Sequence, residues 1–468
     1  MADLSNYITT SKQYENNKSK WEQIKYCIDG EETIKAQDEK FLPYPVALGD
    51  IDRSSKEFVE QYDIYKSGAH FVNFTAEAVD DLVASAFRKD PEIEPTLPVD
   101  LEYYEWVEEC KTLANIISSY GIGFVLVDYP EVEKATLKDD VDNFAFSVAY
   151  EPLDVLDYTE IKRSGKRRLT RVLLSELDED DEEMLRELLI EDGVYKQKVY
   201  KEVDDTVEIT EIIPIASGST LDFIPGTFVG VTSNTTKADK SPVIGISNSN
   251  LKHFQTWAEL MWTQTYTGHP QFVLTGLDKG WNAEAEKRNI KVKMDASQVL
   301  ALEGEKSNAK LMELNTSNLI HFDTLEKLEN SMLEQGYRLK SNSKNGVESA
   351  EAMKIRHSGD ISKLGSIVKN IESAMQDVFE WLGLFMGVQY IPVVTINKEF
   401  VPLTIDGSTL TALSSSENSN VIPRGTTIDY LKAGGLIGDS LDTEKLVNEI
   451  GEQSPYLPGT TEENTTTK

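Results

Sequence analysis

Only two cysteines, Cys27 and Cys110, occur in 468 residues. That excludes a disulfide framework and predicts a reducing compartment. No run of 18 apolar residues exists, so no membrane-spanning helix is expected. Met1 to Asn17 lacks a basic segment followed by an apolar one, so no secretory leader is expected. Positive charge is scarce: 47 Lys and Arg stand against 80 Asp and Glu, a formal net charge of −33. A protein that wraps nucleic acid by broad phosphate neutralisation needs a basic face, and this balance argues against one. It fits solubility at high local concentration, a surface that avoids nucleic acid, or simply an acidic proteome.

Catalytic motifs are missing too. There is no GxxxxGK[ST] loop, and Gly218-Ser219-Thr220 and Lys279-Gly280 lack its framing glycines, so ATP hydrolysis is not expected. His70, His253, His269, His321 and His357 are scattered without HExxH or CxxC spacing, so neither a metal nor a cofactor is expected. GxSxG is absent, and the two cysteines have no nucleophile context. Carboxylate pairs carry no information, because 80 acids supply every spacing by chance.

What is present is organised around Ser249 to Gly387. Ser249 reads as an N-cap, and Leu251, Phe254, Trp257, Ala258 and Met261 recur at helical spacing up to Thr267. Gly268-His269-Pro270 then stops the helix. Strand-like runs follow at 271–275, 290–294 and 298–302. A second helix over 316–335 carries Phe322, Leu325, Leu328 and Met332 on one face. Residues 336–347 hold Arg338, Lys340 and Lys344 with no acid. Either this is an ordinary exposed loop, or it offers salt-screened phosphate contacts. In the last helix Ile361, Leu364, Val368, Ile371, Met375, Val378, Leu382 and Phe385 step three and four apart, a seam suited to core or subunit packing. Ser358-Gly359-Asp360 is expected to kink or interrupt that helix.

Upstream, residues 1–48, 54–66 and 72–87 read as helices, and Pro91, Pro95 and Pro98 as a stiff link. Asp100 reads as the cap of a helix bearing Trp106, Cys110, Leu113, Ile117 and Tyr120, ended by Gly121-Ile122-Gly123. The period then changes. Residues 124–127, 146–150, 153–156, 169–174, 194–200 and 207–215 read as strands of a mostly antiparallel sheet, some joined by turns such as Arg163-Ser164-Gly165-Lys166. The class is α+β. Asp178 to Asp192, with nine acids, reads as a solvated helical insertion with Met184, Leu185, Leu188 and Leu189 inside, ahead of an acidic partner surface. Beyond a β-like stretch at 388–395 lies a serine-rich stretch, Ser408 to Asn420. Small helices follow at 426–433 and 443–450, and a disordered tail at 460–468.

This order of elements resembles the portal proteins of tailed bacteriophages, over roughly residues 50–455. The resemblance rests on Tyr120-Gly121-Ile122-Gly123-Phe124-Val125, Tyr150-Glu151-Pro152-Leu153-Asp154-Val155-Leu156, Ser241-Pro242-Val243-Ile244 and Pro270-Gln271-Phe272-Val273-Leu274-Thr275-Gly276. Thr426 to Leu436 is similar to the helical C-terminal part of many portals. Where many portals open the long helix with Ser-Gly, this chain has Glu348-Ser349-Ala350.

The resemblance implies N-terminal helices and a wing sheet over 1–248, stem helices at 249–270 and 316–335, and a small β-containing clip at 271–315. It also implies a channel loop at 336–348, a long kinked wing helix with a return strand at 349–400, and a crown region with its tail at 401–468. It implies a non-enzymatic ring, a dodecamer at the capsid vertex of the virion, assembled in the host cytoplasm. Double-stranded DNA would pass through it during packaging and ejection, touched by Arg338, Lys340 and Lys344. Terminase, the major capsid protein and adaptor or tail proteins would dock on it. Two other readings stay open: an acidic hydrolase with its site in the 121–232 sheet region, and another oligomeric virion or scaffold protein.

Overall fold

A computed structural model describes residues 4–45, 52–130, 144–163, 166–178, 180–203, 206–267, 271–277, 284, 287, 300–303, 309–312, 319–335, 358–398, 400, 407–419, 421–433, 436–438 and 441–452. It divides into two compact units, one of residues 1–338 with 360–398 and one of 339–359 with 399–468.

In the first unit, polar caps set the N-terminal helices. Ser11 Oγ accepts from Tyr14 N at the start of α1 (Lys12–Asp29), which is followed by the short α2 (Glu31–Ala36). Ser55 Oγ accepts from Phe58 N at the start of α3 (Lys56–Gly68), and Asn73 caps α4 (Phe74–Ala86) in the same way. The next helix, α5, spans Trp106–Tyr120, six residues later than Asp100. Asp100 sits instead in a 3₁₀ turn, Val99–Leu101. Leu101 is fully buried there, and the Tyr103 and Tyr104 hydroxyls bond Ala145 O and Ser147 Oγ. Tertiary bonds thus hold irregular backbone where a local cap suggested helix. Gly121 ends α5 at φ 87°, where a Cβ would stand 2.6 Å from Asp239 O. Only glycine fits that left-handed close approach.

Gly121 feeds β2 (Ile122–Asp128), every residue of which is buried. It pairs antiparallel with β3 (Phe146–Tyr150) and β11 (Gly226–Gly230). A two-stranded ladder joins β1 (Glu92–Glu94) to β15 (Val393–Thr395), and β9 (Ile215–Ala216) pairs with β10 (Ser219–Thr220). The largest sheet is a five-stranded antiparallel meander of β4 (Val155–Arg163), β5 (Lys166–Leu177), β6 (Glu183–Glu191), β7 (Val194–Val203) and β8 (Thr206–Ile212).

Its middle strand corrects the reading of 178–192 as a helical insertion. Asp178 Oδ1 accepts from the amides of Asp180 and Glu182, which makes a turn, and Glu183–Glu191 follows as a strand. Leu185 and Leu188, on opposite faces of β6, are both buried. One face is tied to β2 through Arg186 and Asp128, the other lies near the segment before α1, where Tyr7 meets Tyr200. With both faces covered, the period-two alternation that marks a strand disappears. Ion pairs of Arg171 with Glu187, and of Lys196 and Lys198 with Glu191, account for acids that looked solvated.

Three helices and a small sheet follow. α6 (Ile244–Thr267) leads into β12 (Gln271–Leu277), which pairs parallel with β13 (Leu300–Glu303) and antiparallel with β14 (Ala309–Met312). Then come α7 (Leu319–Gln335) and α8 (Ser358–Met386). The expected strand at 290–294 lies outside the described residues.

The second unit contains α9 (Gly407–Asn418), α10 (Arg424–Ala433) and α11 (Thr443–Glu452). The serine-rich stretch is therefore helical. Thr411 Oγ1 within the helix, and Ser419 Oγ just past its end, turn back onto the carbonyls four residues earlier, so these hydroxyls are satisfied locally. Thr443 Oγ1 ties α11 to Asp429 of α10 at 2.7 Å.

Candidate functional site

The stretch from α6 to α8 is built by burying α6 first. α6 begins at Ile244, five residues before the expected Ser249 cap. Ser249 reads as a helix start because serine competes locally for backbone bonds, yet it lies inside the helix among Ser247, Asn248 and Asn250. The side chains of Ser247, Asn248 and Asn250 are spent on neighbours. Ser247 Oγ accepts from Gln23 Nε2 at 2.9 Å and donates to Cys27 Sγ, while Asn248 Oδ1 accepts from the same Gln23. Asn250 Oδ1 accepts from Thr75 N and Oγ1, and its amide donates to Val72 O at 2.8 Å. A polar seam thus locks α6 to α1 and α4.

Farther along, Leu251, Phe254 and Ala258 join a core with Cys27, Phe58, Tyr62, Tyr65 and Phe71. Half of α6 is therefore an internal strut. At about 1.5 Å per residue the helix is about 36 Å long.

α7 runs antiparallel along it. Gly245 lies against the Gln335 side chain, where a Cβ would stand 2.7 Å from its oxygen, and eight residues on His253 Nε2 lies 3.1 Å from Glu329 Oε1. His253 is fully buried, its Nδ1 has no hydrogen-bond partner, and the Phe74 and Trp257 rings flank it. Burial lowers its pKa, and Glu329 opposes that shift. Leu325 and Met332 are the buried residues of α7, whereas Phe322, expected on the same face, is half exposed. The outward face carries Asp323, Glu326, Asn330 and Glu334, all exposed, with Lys327 as its cation. Leu319 and Ile320 at the helix start are more than two-thirds exposed.

α8 is the anchor. Leu364, Val368, Ile371, Met375 and Val378 are buried, as are Ile367, Ala374, Phe379, Leu382 and Phe385. The seam packs inside the chain. Phe379 meets Tyr104, Trp106 and Tyr390 edge-on. Asn370 Nδ2 donates to Gly230 O, and Asn234 Nδ2 donates back to Asn370 O, pinning the helix to the end of β11. Ile361 lies on the helix, but its side chain is outside the described residues. So are Arg338, Lys340 and Lys344, with all of 336–357, including the expected start of the helix at 349.

The sheet region, considered for a hydrolase, holds a buried charge network. Arg186 pairs with Asp128 at 2.7 Å and Glu176 at 2.9 Å; Gln197 donates to Asp128, and Tyr150 to Glu176. Burial raises the Asp128 pKa against the pull of Arg186. Asp154, above an open cavity of about 630 Å³ with Glu176 and Arg186, has its pKa pushed up to about 6 by burial and by Glu151. Every one of these acids save Asp154 is committed to a cation or a donor, an arrangement that holds sheets together rather than leaving a free acid and base.

A feature passed over in the sequence is the β4–β5 hairpin. Lys162, Arg163, Lys166, Arg167 and Arg168 put five cations into seven positions, the densest such run in the chain. Counting cations in a sliding window would have found it. The β-turn chemistry of Arg163-Ser164-Gly165-Lys166 drew attention to the bend instead of its charge.

Among the described residues, no helix is long and apolar enough to cross a membrane, and no group of three or more His, Cys, Asp or Glu could hold a metal ion. Residues 242–386 match a domain of unknown function, DUF4055, which is uncharacterised and found in phage-like proteins. The match covers about a third of the chain, from just before α6 to the last residue of α8. No curated protein matches.

Proposed function

We propose that this chain is the subunit of a phage portal, a non-enzymatic ring at the capsid vertex that conducts double-stranded DNA during packaging and ejection. One observation carries the reading: two antiparallel helices, α6 and α7, bracket a three-stranded module and lead on to a buried helix, α8. A module held between paired helices and anchored by a third suits a repeated wall element better than a catalytic cleft.

The occurrence of the matched domain in phage-like proteins supports the same reading. So does the acidic outer face of α7, because a channel wall that repels phosphate lets a duplex slide rather than stick. In this reading α6 and α7 form the stem, β12–β14 lie in the clip where terminase or adaptor proteins dock, and the meander belongs to the wing. Arg338, Lys340 and Lys344 make the few contacts to the duplex, and about twelve copies close the ring.

Electron microscopy of the purified chain tests this. The expected particle is a ring with a central hole wide enough for a duplex; a compact monomer, or a solid or extended assembly, overturns it. Within such a ring, R338A/K340A/K344A is expected to impair DNA packaging or retention with the ring intact.

A further inference from the structure

The two ends of the five-stranded meander carry opposite charge. β4 and β5 pair all the way to Arg163 and Lys166, whereas β6 takes up β5 only from Arg171 onward. The hairpin tip therefore extends beyond the part of β5 that is paired on both sides. Lys162 is exposed, Arg167 keeps 57% of its side-chain surface although it pairs with Glu160, and Arg168 keeps 55%, reaching Asp222 only at 3.9 Å. A groove of about 570 Å³ opens beside the tip, lined by Arg167, Arg168, Phe223 and Trp381 together with Glu160 and Glu380. Exposed Ile161 adds an apolar contact.

At the other end of β5 the sequence runs through six consecutive acids, Asp178 to Glu183. Asp180, Asp181, Glu182 and Glu183 are exposed, and among the described residues Lys201 pairs with Asp178, at 3.5 Å. Exposed Leu177 stands beside them. The 12 residues of β5 hold these ends about 40 Å apart along one extended strand. A chain cannot bring its own tip to its own turn.

We infer that the basic β4–β5 tip of one copy docks on the acidic β5–β6 turn of a second copy. The favoured partner is another copy because the complementary surface is in the same chain: cations and acids in similar number, each with an apolar neighbour. Two different surfaces make a head-to-tail contact, the kind that closes into rings. Copies that each carry −33 repel one another overall, so local opposite charge steers and registers their approach. The contact deepens the ring reading but rests on other residues.

Charge exchange tests it. K162E/R167E/R168E turns the tip acidic, and D180K/E182K/E183K turns the acidic end basic. By analytical ultracentrifugation at low salt, the wild-type chain is expected to assemble. Each variant alone should need at least tenfold higher concentration. Mixed in equal amounts the two should co-assemble, because each tip then meets an end of opposite sign; co-assembly also shows that both are folded. Raising salt should weaken the wild-type assembly. Assembly of either variant alone at the wild-type concentration overturns the inference, as does a wild-type chain that stays monomeric. So does a tip variant that assembles normally but loses binding to a DNA duplex, which would assign the tip to nucleic acid. Wild-type assemblies without a central hole would defeat the portal reading while leaving the charge exchange decisive for the contact.

Discussion

His253 of α6 and Glu329 of α7 meet at 3.1 Å, a fully buried imidazole against a half-exposed carboxylate. This contact ties the first helix of the pair to the second, and it titrates. The folded pKa of His253 lies below its ordinary value, so the folded chain binds fewer protons there than the unfolded one. Its contribution is fully present above the unfolded pKa, about 6.5, and is lost as pH falls below it. Glu329→Gln removes the group that favours the imidazolium and should make the acid sensitivity steeper. His253→Gln should remove this part of the pH dependence. Amide exchange in 319–335 and fluorescence of Trp257, whose ring lies 6.0 Å from that of His253, measured between pH 8 and 5, would show it. Identical profiles for wild type and H253Q would rule the contact out as the sensor.

The α8 seam makes a second, simpler prediction. Leu364 is 4% exposed and Ile371 is fully buried, so Leu364→Asp or Ile371→Asp places an unpaired charge in the core. Loss of folding, or destabilisation above about 4 kcal/mol, is expected. Ile371→Val should cost only about 0.5–1.5 kcal/mol. A soluble, cooperatively melting I371D chain with wild-type thermal stability would contradict the placement of α8.

Much of this was legible in the residues themselves. The α8 seam showed because a helix packed along one stripe keeps its three-and-four spacing, and β2 showed because a fully buried strand is a continuous apolar run, Phe124-Val125-Leu126-Val127. The α+β class followed from the change of period near Gly121. What failed were places where distant partners overrule local chemistry. Ser249 reads as a cap, yet the helix starts five residues earlier, and its neighbours Ser247 and Asn250 bond Cys27, Thr75 and Val72 from within it. Glu187 and Glu191 look solvated until β5 and β7 bring Arg171, Lys196 and Lys198 across the sheet. Of the residues expected to touch DNA, Arg338, Lys340 and Lys344, the described structure holds none.

Arg186 supplies the third prediction. Its side chain is 21% exposed and shared between Asp128 and Glu176, which are 9% and 11% exposed. Arg186→Met leaves two buried carboxylates facing each other and should destabilise by about 3–5 kcal/mol. Replacing the set, as R186M/D128N/E176Q, should recover much of that loss, because uncompensated charge and not the missing attraction dominates the cost. Chemical denaturation of the single and triple variants separates the two. A triple variant no more stable than R186M would mean that the attraction itself holds β6 to β2.

Asp154 makes the fourth case, and its sign is opposite to that of His253. Burial, and then the nearby Glu151, raise its pKa to about 6, with Lys25 pulling the other way. The folded chain therefore holds a proton at Asp154 where the unfolded chain, at about 3.9, does not. The cost to stability grows from about pH 3.9, where the unfolded chain gives up its proton, to about 6, and is fully present above that value. Asp154→Asn keeps the shape, carries no charge, and leaves the backbone bonds from Asp154 N to Glu151 O and from Ser175 N to Asp154 O in place. It should stabilise the chain by about 1–2 kcal/mol at pH 8, after allowance for partial solvent exposure, and change little below about pH 3.5. Thermal melts of wild type and D154N across that range give the difference directly. A stability gap that does not grow with pH would mean that Asp154 is already ionised without penalty, with Lys25 and not burial governing its charge.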